Sequence, residues 1–469
     1  MNFKSICYFT GFFCLPISFL AFINILYSSY FDYFLSIDSY FTTLLVSLLI
    51  GAGLLYYGRN SNKKINIIEQ LLLIISVYFV AAFLISIPFY LSNIQVTFIN
   101  SLFESISGLT GTGFSTFKSI RYFDPTLILW RSSSQWVGGL YFLIFLIIIF
   151  SNKKFNFKMI SLTHSGDSGY NSEEKIKNNI LKIFIYYSIL SFGIFLLLNI
   201  TGIRLFNSLN ISMTLISGGG FLPTNSLTNI ISSNFQKIVF IFSLLLSMFN
   251  FYIVFNIFNK KILIRDHKED MYLMFLTIIL IVFIYFNHNS GIDLIIGVIS
   301  SLATSGLTLM KADNLSLYFL FITLIGGSLV SNTSGIKLAR FYILLKIASA
   351  EIMKLISPNS VINKTIFNSE KKITDDNVKI SFLIFISFFL SLFILSSFLV
   401  LDNIGFEKSF KLSILTLTNT VNSELFNMEN LNFANLLTTS KISLIIFMII
   451  GKIELISVFL IFKKILFKE

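Results

Sequence analysis

Three residues, Gly111-Thr112-Gly113, carry the first chemistry the chain suggests, and three similar clusters follow: Ser217-Gly218-Gly219, Thr304-Ser305-Gly306 and Asn419-Thr420-Val421. None of these side chains is a strong acid, base or nucleophile. What they offer is backbone. Glycine reaches dihedrals closed to residues with a β-carbon, which leaves successive carbonyl oxygens free to face one way. A ring of such oxygens can replace the hydration shell of a cation. One glycine cluster between helices is more often a plain turn. Four clusters in equivalent places make that reading a poor one.

Each cluster closes a short apolar segment, near residues 98–114, 204–221, 291–307 and 407–422. A spanning helix needs about 20 residues to cross roughly 30 Å of hydrocarbon. These segments are too short to cross and too apolar to be solvated loops. They are expected to be re-entrant, with a half-helix dipping in and an extended segment climbing back out. Irregular backbone is tolerated at that depth only where it is buried in protein or lines a watery cavity.

Hydrophobic residues make up 55% of the 469-residue chain and charged residues 12%, with a mean hydropathy of +0.81. That implies a polytopic α-helical membrane protein in a lipid bilayer and excludes a water-soluble globular domain. The net charge of +12 does not point to nucleic acid, because the basic residues sit in loops between apolar runs. The runs fall near 6–28, 39–57, 67–91, 126–150, 180–200, 235–258, 271–287, 315–346, 378–401 and 440–467, which makes ten candidate spans. If each span crosses once, one side collects Arg59, Lys63, Lys64, Lys153, Lys154, Lys158, Lys175, Lys177, Lys260, Lys261, Arg265, Lys268, the basic stretch from Lys346 to Lys379, Lys463, Lys464 and Lys468. The short segments belong to the other side. The positive-inside rule then makes both termini cytoplasmic and has the short segments enter from outside. The first run, after Lys4, lacks an obvious small-residue cleavage site and reads as a retained span rather than a signal peptide. Cys7 and Cys14 lie on one face of that run and build no disulfide framework.

The last eight spans read as four copies of span, half-helix, span, at 67–150, 178–262, 270–346 and 376–469, with an extra pair of spans in 1–66. The expected fold is therefore all-α, with ten transmembrane helices and four re-entrant pore half-helices around a pseudo-fourfold axis. Half-helices entering from outside point their partially negative C-terminal ends at the membrane centre, which favours a cation there. Asp124, Glu424 and Glu429 are candidate acids at the outer mouth, although such residues are more often solvated loop charges. Glu104 lies inside the first half-helix, where a carboxylate is costly without a partner, and reads first as a structural brace behind the turn.

These stretches resemble the Trk/Ktr superfamily of potassium transporters, most closely its Trk-H-type membrane subunits, because two extra spans precede the repeats. The resemblance is carried by Phe103-Glu104 through Gly113, Trp130-Arg131 through Gln135-Trp136-Val137-Gly138-Gly139, Gly326-Gly327-Ser328 through Gly335-Ile336-Lys337, and Met448 through Gly451-Lys452-Ile453-Glu454. It implies potassium uptake across the inner membrane of a bacterial cell by a homodimer, gated by a cytoplasmic nucleotide-binding Trk-A-type ring. Potassium is then the bound and carried ion, with possible ion coupling and no organic cofactor. The resemblance places the ion on backbone oxygens of Gly111 and Thr112, Ser217 and Gly218, Thr304 and Ser305, and Asn419 and Thr420. Gly113, Gly219 and Gly306 match filter glycines. The interruption from Gly326 and Gly327 to Gly335 and Lys337 matches an intramembrane gating loop, and Lys452 matches a basic residue near it. A buried cation there opposes ion passage while the gate is shut.

The chain departs from that pattern at Val421, where glycine is usual, and at Val330 and Ser334, where glycines are expected in the loop. A β-branched residue disfavours positive φ, so the fourth quarter is expected to be wider or differently twisted. Potassium selectivity rather than cation passage is what this touches, and sodium or mixed conduction by the same fold is the near alternative. A secondary transporter of an organic solute would show inverted repeats and a charged midplane site. A membrane enzyme would need convergent catalytic groups. Neither is visible, and His164, His267 and His288 are scattered and form no metal constellation.

Overall fold

Local chemistry sets the helix ends. In the computed structural model, which describes residues 2–61, 65–92, 94, 96–117, 119–120, 123–150, 173–251, 253, 267–285, 291–357, 364–367 and 372–453, fifteen α-helices follow one another. They are α1 Phe3–Tyr30, α2 Phe34–Gly58, α3 Ile67–Leu91, α4 Phe98–Thr110, α5 Pro125–Phe150, α6 Glu173–Ile200, α7 Leu205–Ser217 and α8 Asn234–Met248. After these come α9 Lys268–Tyr285, α10 Gly291–Leu302, α11 Ser316–Ile325, α12 Leu338–Ile356, α13 Asp375–Leu401, α14 Phe406–Leu417 and α15 Thr438–Ile453. Glu69 opens α3 by accepting from the Asn66 N–H at 2.9 Å, and it also accepts from the Asn2 N–H at 2.6 Å, which ties down the start of α1. Ser233 and Gln236 open α8 as a reciprocal capping pair.

Five described helices are long and apolar enough to cross a membrane: Phe3–Tyr30, Ile37–Gly58, Ile68–Leu91, Ile180–Ile200 and Asp375–Leu401. The runs expected at 126–150 and 271–287 correspond to α5 and α9, while those at 235–258 and 440–467 correspond to α8 and α15 as far as they are described. The run expected at 315–346 is two helices, α11 and α12, separated by residues 326–337. Glu454, His164, His288 and the basic clusters at 153–158, 260–265 and 463–468 lie outside the described residues.

Four helices, α4, α7, α10 and α14, are only 12 or 13 residues long. Their serines and threonines bond back to carbonyls one turn earlier, as Thr110 to Ile106, Ser301 to Gly297 and Thr416 to Leu412. A buried hydroxyl thereby satisfies itself within its own helix. Each of these helices packs between the helices on either side of it in the chain: α4 on α3 and α5, α7 on α6 and α8, α10 on α9 and α11, α14 on α13 and α15. Each also packs on one helix from the preceding group: α7 on α5, α10 on α8, α14 on α11, and α4 on α15. That last contact closes the pattern into a ring. Helices α1 and α2 pack on α3 outside it. Outward faces carry exposed Phe192, Phe242, Phe275 and Phe393, a surface suited to hydrocarbon rather than water.

Glycines let the short helices come close. A β-carbon on Gly138 of α5 would lie 2.0 Å from the Leu109 carbonyl oxygen, and one on Gly451 of α15 would lie 2.5 Å from that of Leu417. Gly138→Ala is expected to push α4 out of register and cost about 1–3 kcal/mol through overpacking. Thermal unfolding in detergent checks it, and an unchanged melting temperature would mean the contact is soft.

Candidate functional site

The end of each short helix turns in the same way. Positive φ falls at Gly111, Gly218, Thr304 and Asn419, the first residue of each turn, and again at Gly113 and Gly306. Hydrogen bonds set the register: Ser107 Oγ donates to the Phe114 carbonyl at 2.7 Å, and Thr214 Oγ1 to the Phe221 carbonyl at 2.9 Å. The equivalents of Gly111-Thr112-Gly113 are therefore Gly218-Gly219-Gly220, Thr304-Ser305-Gly306 and Asn419-Thr420-Val421. In the second turn this is one residue beyond the sequence-derived Ser217-Gly218-Gly219, because Ser217 is the last residue of α7.

The four turns lie against one another. A β-carbon on Gly113 would sit 2.8 Å from Gly220 Cα, and one on Gly306 would sit 2.9 Å from the Val421 carbonyl oxygen. One on Gly220 would sit 2.5 Å from Val421 Cβ. Helices α7 and α14 stand opposite in the ring, so the Val421 side chain reaches across to the place where Gly220 has none. Val421 lacks the positive φ that its equivalents Gly113 and Gly306 have, so the fourth turn is twisted differently at that position, as the β-branched residue leads one to expect. The positive φ of the fourth turn belongs to Asn419, a residue type that tolerates it.

Behind the first turn, Glu104 and Arg131 are both buried and paired, with Arg131 Nε 2.9 Å from Glu104 Oε1. Glu104 also accepts from Ser115 Oγ at 3.1 Å, the Thr116 N–H at 2.9 Å and Thr116 Oγ1 at 3.2 Å. Arg131 reaches Ser115 Oγ at 3.1 Å, and its guanidinium carbon lies 4.1 Å from the centroid of the Phe221 ring. Gln135, one turn on, accepts from the Phe221 N–H at 3.2 Å. So α5 holds the chain that leaves both the first and the second turn. Glu104 is the brace the sequence suggests, while Arg131 and Gln135 were visible only as members of a longer stretch. Of the candidate mouth acids, Asp124 accepts from the Thr126 N–H at the start of α5, Glu424 is half-buried, and Glu429 is exposed.

Beneath the turns runs the segment between α11 and α12. Gly326 and Gly335 form its neck: a β-carbon on Gly326 would lie 2.4 Å from the Ser334 carbonyl oxygen, and one on Gly335 would lie 3.0 Å from that of Thr323. Both glycines have positive φ, as does Lys337. The Lys337 ammonium donates inward to the carbonyl and hydroxyl oxygens of Ser331 and Thr333, which stitches the loop together. The loop's crest meets three turns. Asn332 Nδ2 donates to the Ile216 carbonyl at 2.7 Å, the Ser334 N–H to Thr304 Oγ1 at 3.1 Å, and Ser334 Oγ to Asn419 Oδ1 at 2.9 Å. Asn419 Nδ2 donates in turn to Thr112 Oγ1 at 3.0 Å. Lys452 of α15 is buried, donates to the Asn332 carbonyl at 2.9 Å, and stands 4.7 Å from the centroid of the Phe142 ring. A β-carbon on Gly111 would lie 3.8 Å from its Nζ. The Lys452 amine therefore lies against the first turn, on the side where the loop meets the turns. Asn332 was not visible as a partner in the sequence.

The model of the TrkH family, described as cation transport protein, matches residues 36–288. An uncharacterised cation transporter of Methanocaldococcus jannaschii is 27% identical over 83% of this chain and 81% of its own. The Trk system potassium uptake protein TrkG of Escherichia coli is 25% identical over 91% of each chain. The crystal structure of the potassium transporter TrkH from Vibrio parahaemolyticus superposes with a TM-score of 0.84 over 98% of each chain at 20% identity.

Proposed function

The chain belongs to the TrkH family of cation transport proteins, and from that premise we propose that it takes up potassium across the bacterial inner membrane through a four-quarter filter with an intramembrane gate. Relatives named as potassium uptake proteins support the choice of ion. The family transports cations and is not a family of enzymes. The observation that carries the reading is the ring of four short helices, each ending in a left-handed turn against its neighbours. These are the re-entrant half-helices of a pseudo-fourfold pore with ten spans. The four copies are residues 67–150, 178–262, 270–346 and 376–469, and both termini are cytoplasmic. The carried ion rests on backbone oxygens of Gly111, Thr112 and Gly113, of Ser217 to Gly220, of Thr304, Ser305 and Gly306, and of Asn419, Thr420 and Val421. Residues 326–337, with Gly326, Gly327, Gly335 and Lys337, form the gating loop, and Lys452 bars the way while it is shut. Two copies of the chain work with a cytoplasmic nucleotide-binding ring of Trk-A type, and ion coupling accompanies uptake.

The test is uptake of potassium, rubidium and sodium into liposomes holding the purified protein. Absence of flux for every monovalent cation, with the protein correctly inserted, would sink the proposal. Mixed sodium and potassium conduction is the second reading, favoured by the Val421 side chain standing against Gly220. Val421→Gly is expected to change the potassium-to-sodium flux ratio severalfold, since it removes apolar bulk from the outer end of the filter. An unaltered ratio would show that the fourth quarter selects through its backbone alone.

A further inference from the structure

The underside of the loop at 326–337 is held as firmly as its crest, and by residues that the transport reading does not use. Three successive loop residues are fixed by their backbones. The Ser328 N–H donates to the Met248 carbonyl at 3.0 Å, and the Val330 carbonyl accepts from the Phe251 N–H at 2.8 Å. Between them, the Leu329 N–H donates to Glu269 Oε1 at 2.8 Å. Gly327 lies so close to α8 that a β-carbon on it would be 2.7 Å from the Met248 carbonyl oxygen. Asp270 completes the arrangement by accepting from the Asn250 N–H at 2.9 Å, which ties the chain leaving α8 to the first turn of α9. Glu269, Asp270, Asn250, Ser328, Leu329 and Val330 are all buried. His267 Nδ1 stands 3.8 Å from Asp270 Oδ2, and Lys337 and Arg340 face Glu269 through space.

We propose that Glu269 and Asp270 are positioning residues of the gate, a carboxylate clamp that joins the end of α8 to the start of α9 around loop residues 327–330 and sets the loop's resting place under the filter. The inference rests on the reading of 326–337 as the gate. A buried backbone N–H without an acceptor is costly, so the loop cannot leave while keeping Leu329 satisfied unless it finds another partner. Removing the acceptor removes one of the bonds that the shut state keeps and the open state must break. The two helix ends then become the natural place from which a change on that side of the protein is passed to the loop.

Rubidium uptake into liposomes by the full-length protein, without partner, tests this. Glu269→Ala is expected to raise uptake roughly tenfold, the factor set by one buried hydrogen bond, while the preference for potassium over sodium stays as in the wild type. Glu269→Gln keeps an oxygen facing Leu329 and is expected to stay near wild-type flux. If Glu269→Ala does not insert, Gly327→Ala loosens the same clamp from the Met248 side and is expected to raise uptake too. Wild-type flux in either alanine variant would overturn the clamp, and so would a rise that comes with lost ion preference, because the filter itself would then have loosened. Glu269→Gln leaking as much as Glu269→Ala would overturn the assignment to the Leu329 hydrogen bond. Absence of flux in the wild type under the same conditions would count against the transport reading instead.

Discussion

Replacing Lys452 with methionine is expected to raise resting potassium flux by one to two orders of magnitude. The ammonium is buried, bonded to the Asn332 carbonyl and close under Gly111. With the amine protonated, an ion in the proposed filter roughly 6 Å away, in a medium of effective dielectric about 20, is repelled by about 3 kcal/mol. That corresponds to a factor of roughly 100 in the ion's population at that point. Methionine keeps most of the length and the apolar contact with Phe142 while removing both the charge and the bond to the loop. Lys452→Arg keeps the charge and is expected to stay near the wild-type level. Tracer uptake in liposomes measures both. Flux that is unchanged in a correctly folded Lys452→Met protein would take the residue out of the pathway.

The second large effect is expected at Arg131. Its substitution by methionine leaves Glu104 buried without its cation, and breaking a buried pair from one side costs about 3–5 kcal/mol. The same change removes one of the contacts that hold Ser115 and Phe221, which leave the first and second turns, so potassium preference is expected to fall along with stability. The double variant Glu104→Gln, Arg131→Met removes both charges and is expected to regain much of the stability. Its amide can still accept from the Thr116 N–H but cannot draw the guanidinium between the two turns, so the selectivity loss is expected to persist. Thermal unfolding of the wild type, the single variants Glu104→Gln and Arg131→Met, and the double variant gives the coupling energy, and rubidium uptake in competition with sodium gives the preference. An Arg131→Met protein as stable and as selective as the wild type would reduce the pair to a bystander.

These sites differ in how far a reader of the sequence could reach them. Lys452 stands out because a cation in the middle of an apolar run has few harmless explanations. The loop between α11 and α12 shows as a cluster of Gly, Ser, Asn and Thr that no helix would choose. In the second turn, three glycines in a row leave the register undetermined, and only the bond from Thr214 to the Phe221 carbonyl decides it. Glu269 and Asp270 look in sequence like ordinary acids at the start of a helix, and nothing local marks them as holding a loop 60 residues away.

The environment, the short apolar helices and the small residues that end them were legible along the chain, because hydropathy, length and glycine content act within a few residues of where they are read. Tertiary structure alone decided the pairings: Glu104 with Arg131, Asn332 with Ile216 across 116 residues, Asn419 with Thr112 across 307, and Val421 against Gly220. Those depend on how four unequal units close into one ring, and a ring contact has no fixed spacing along the chain that makes it.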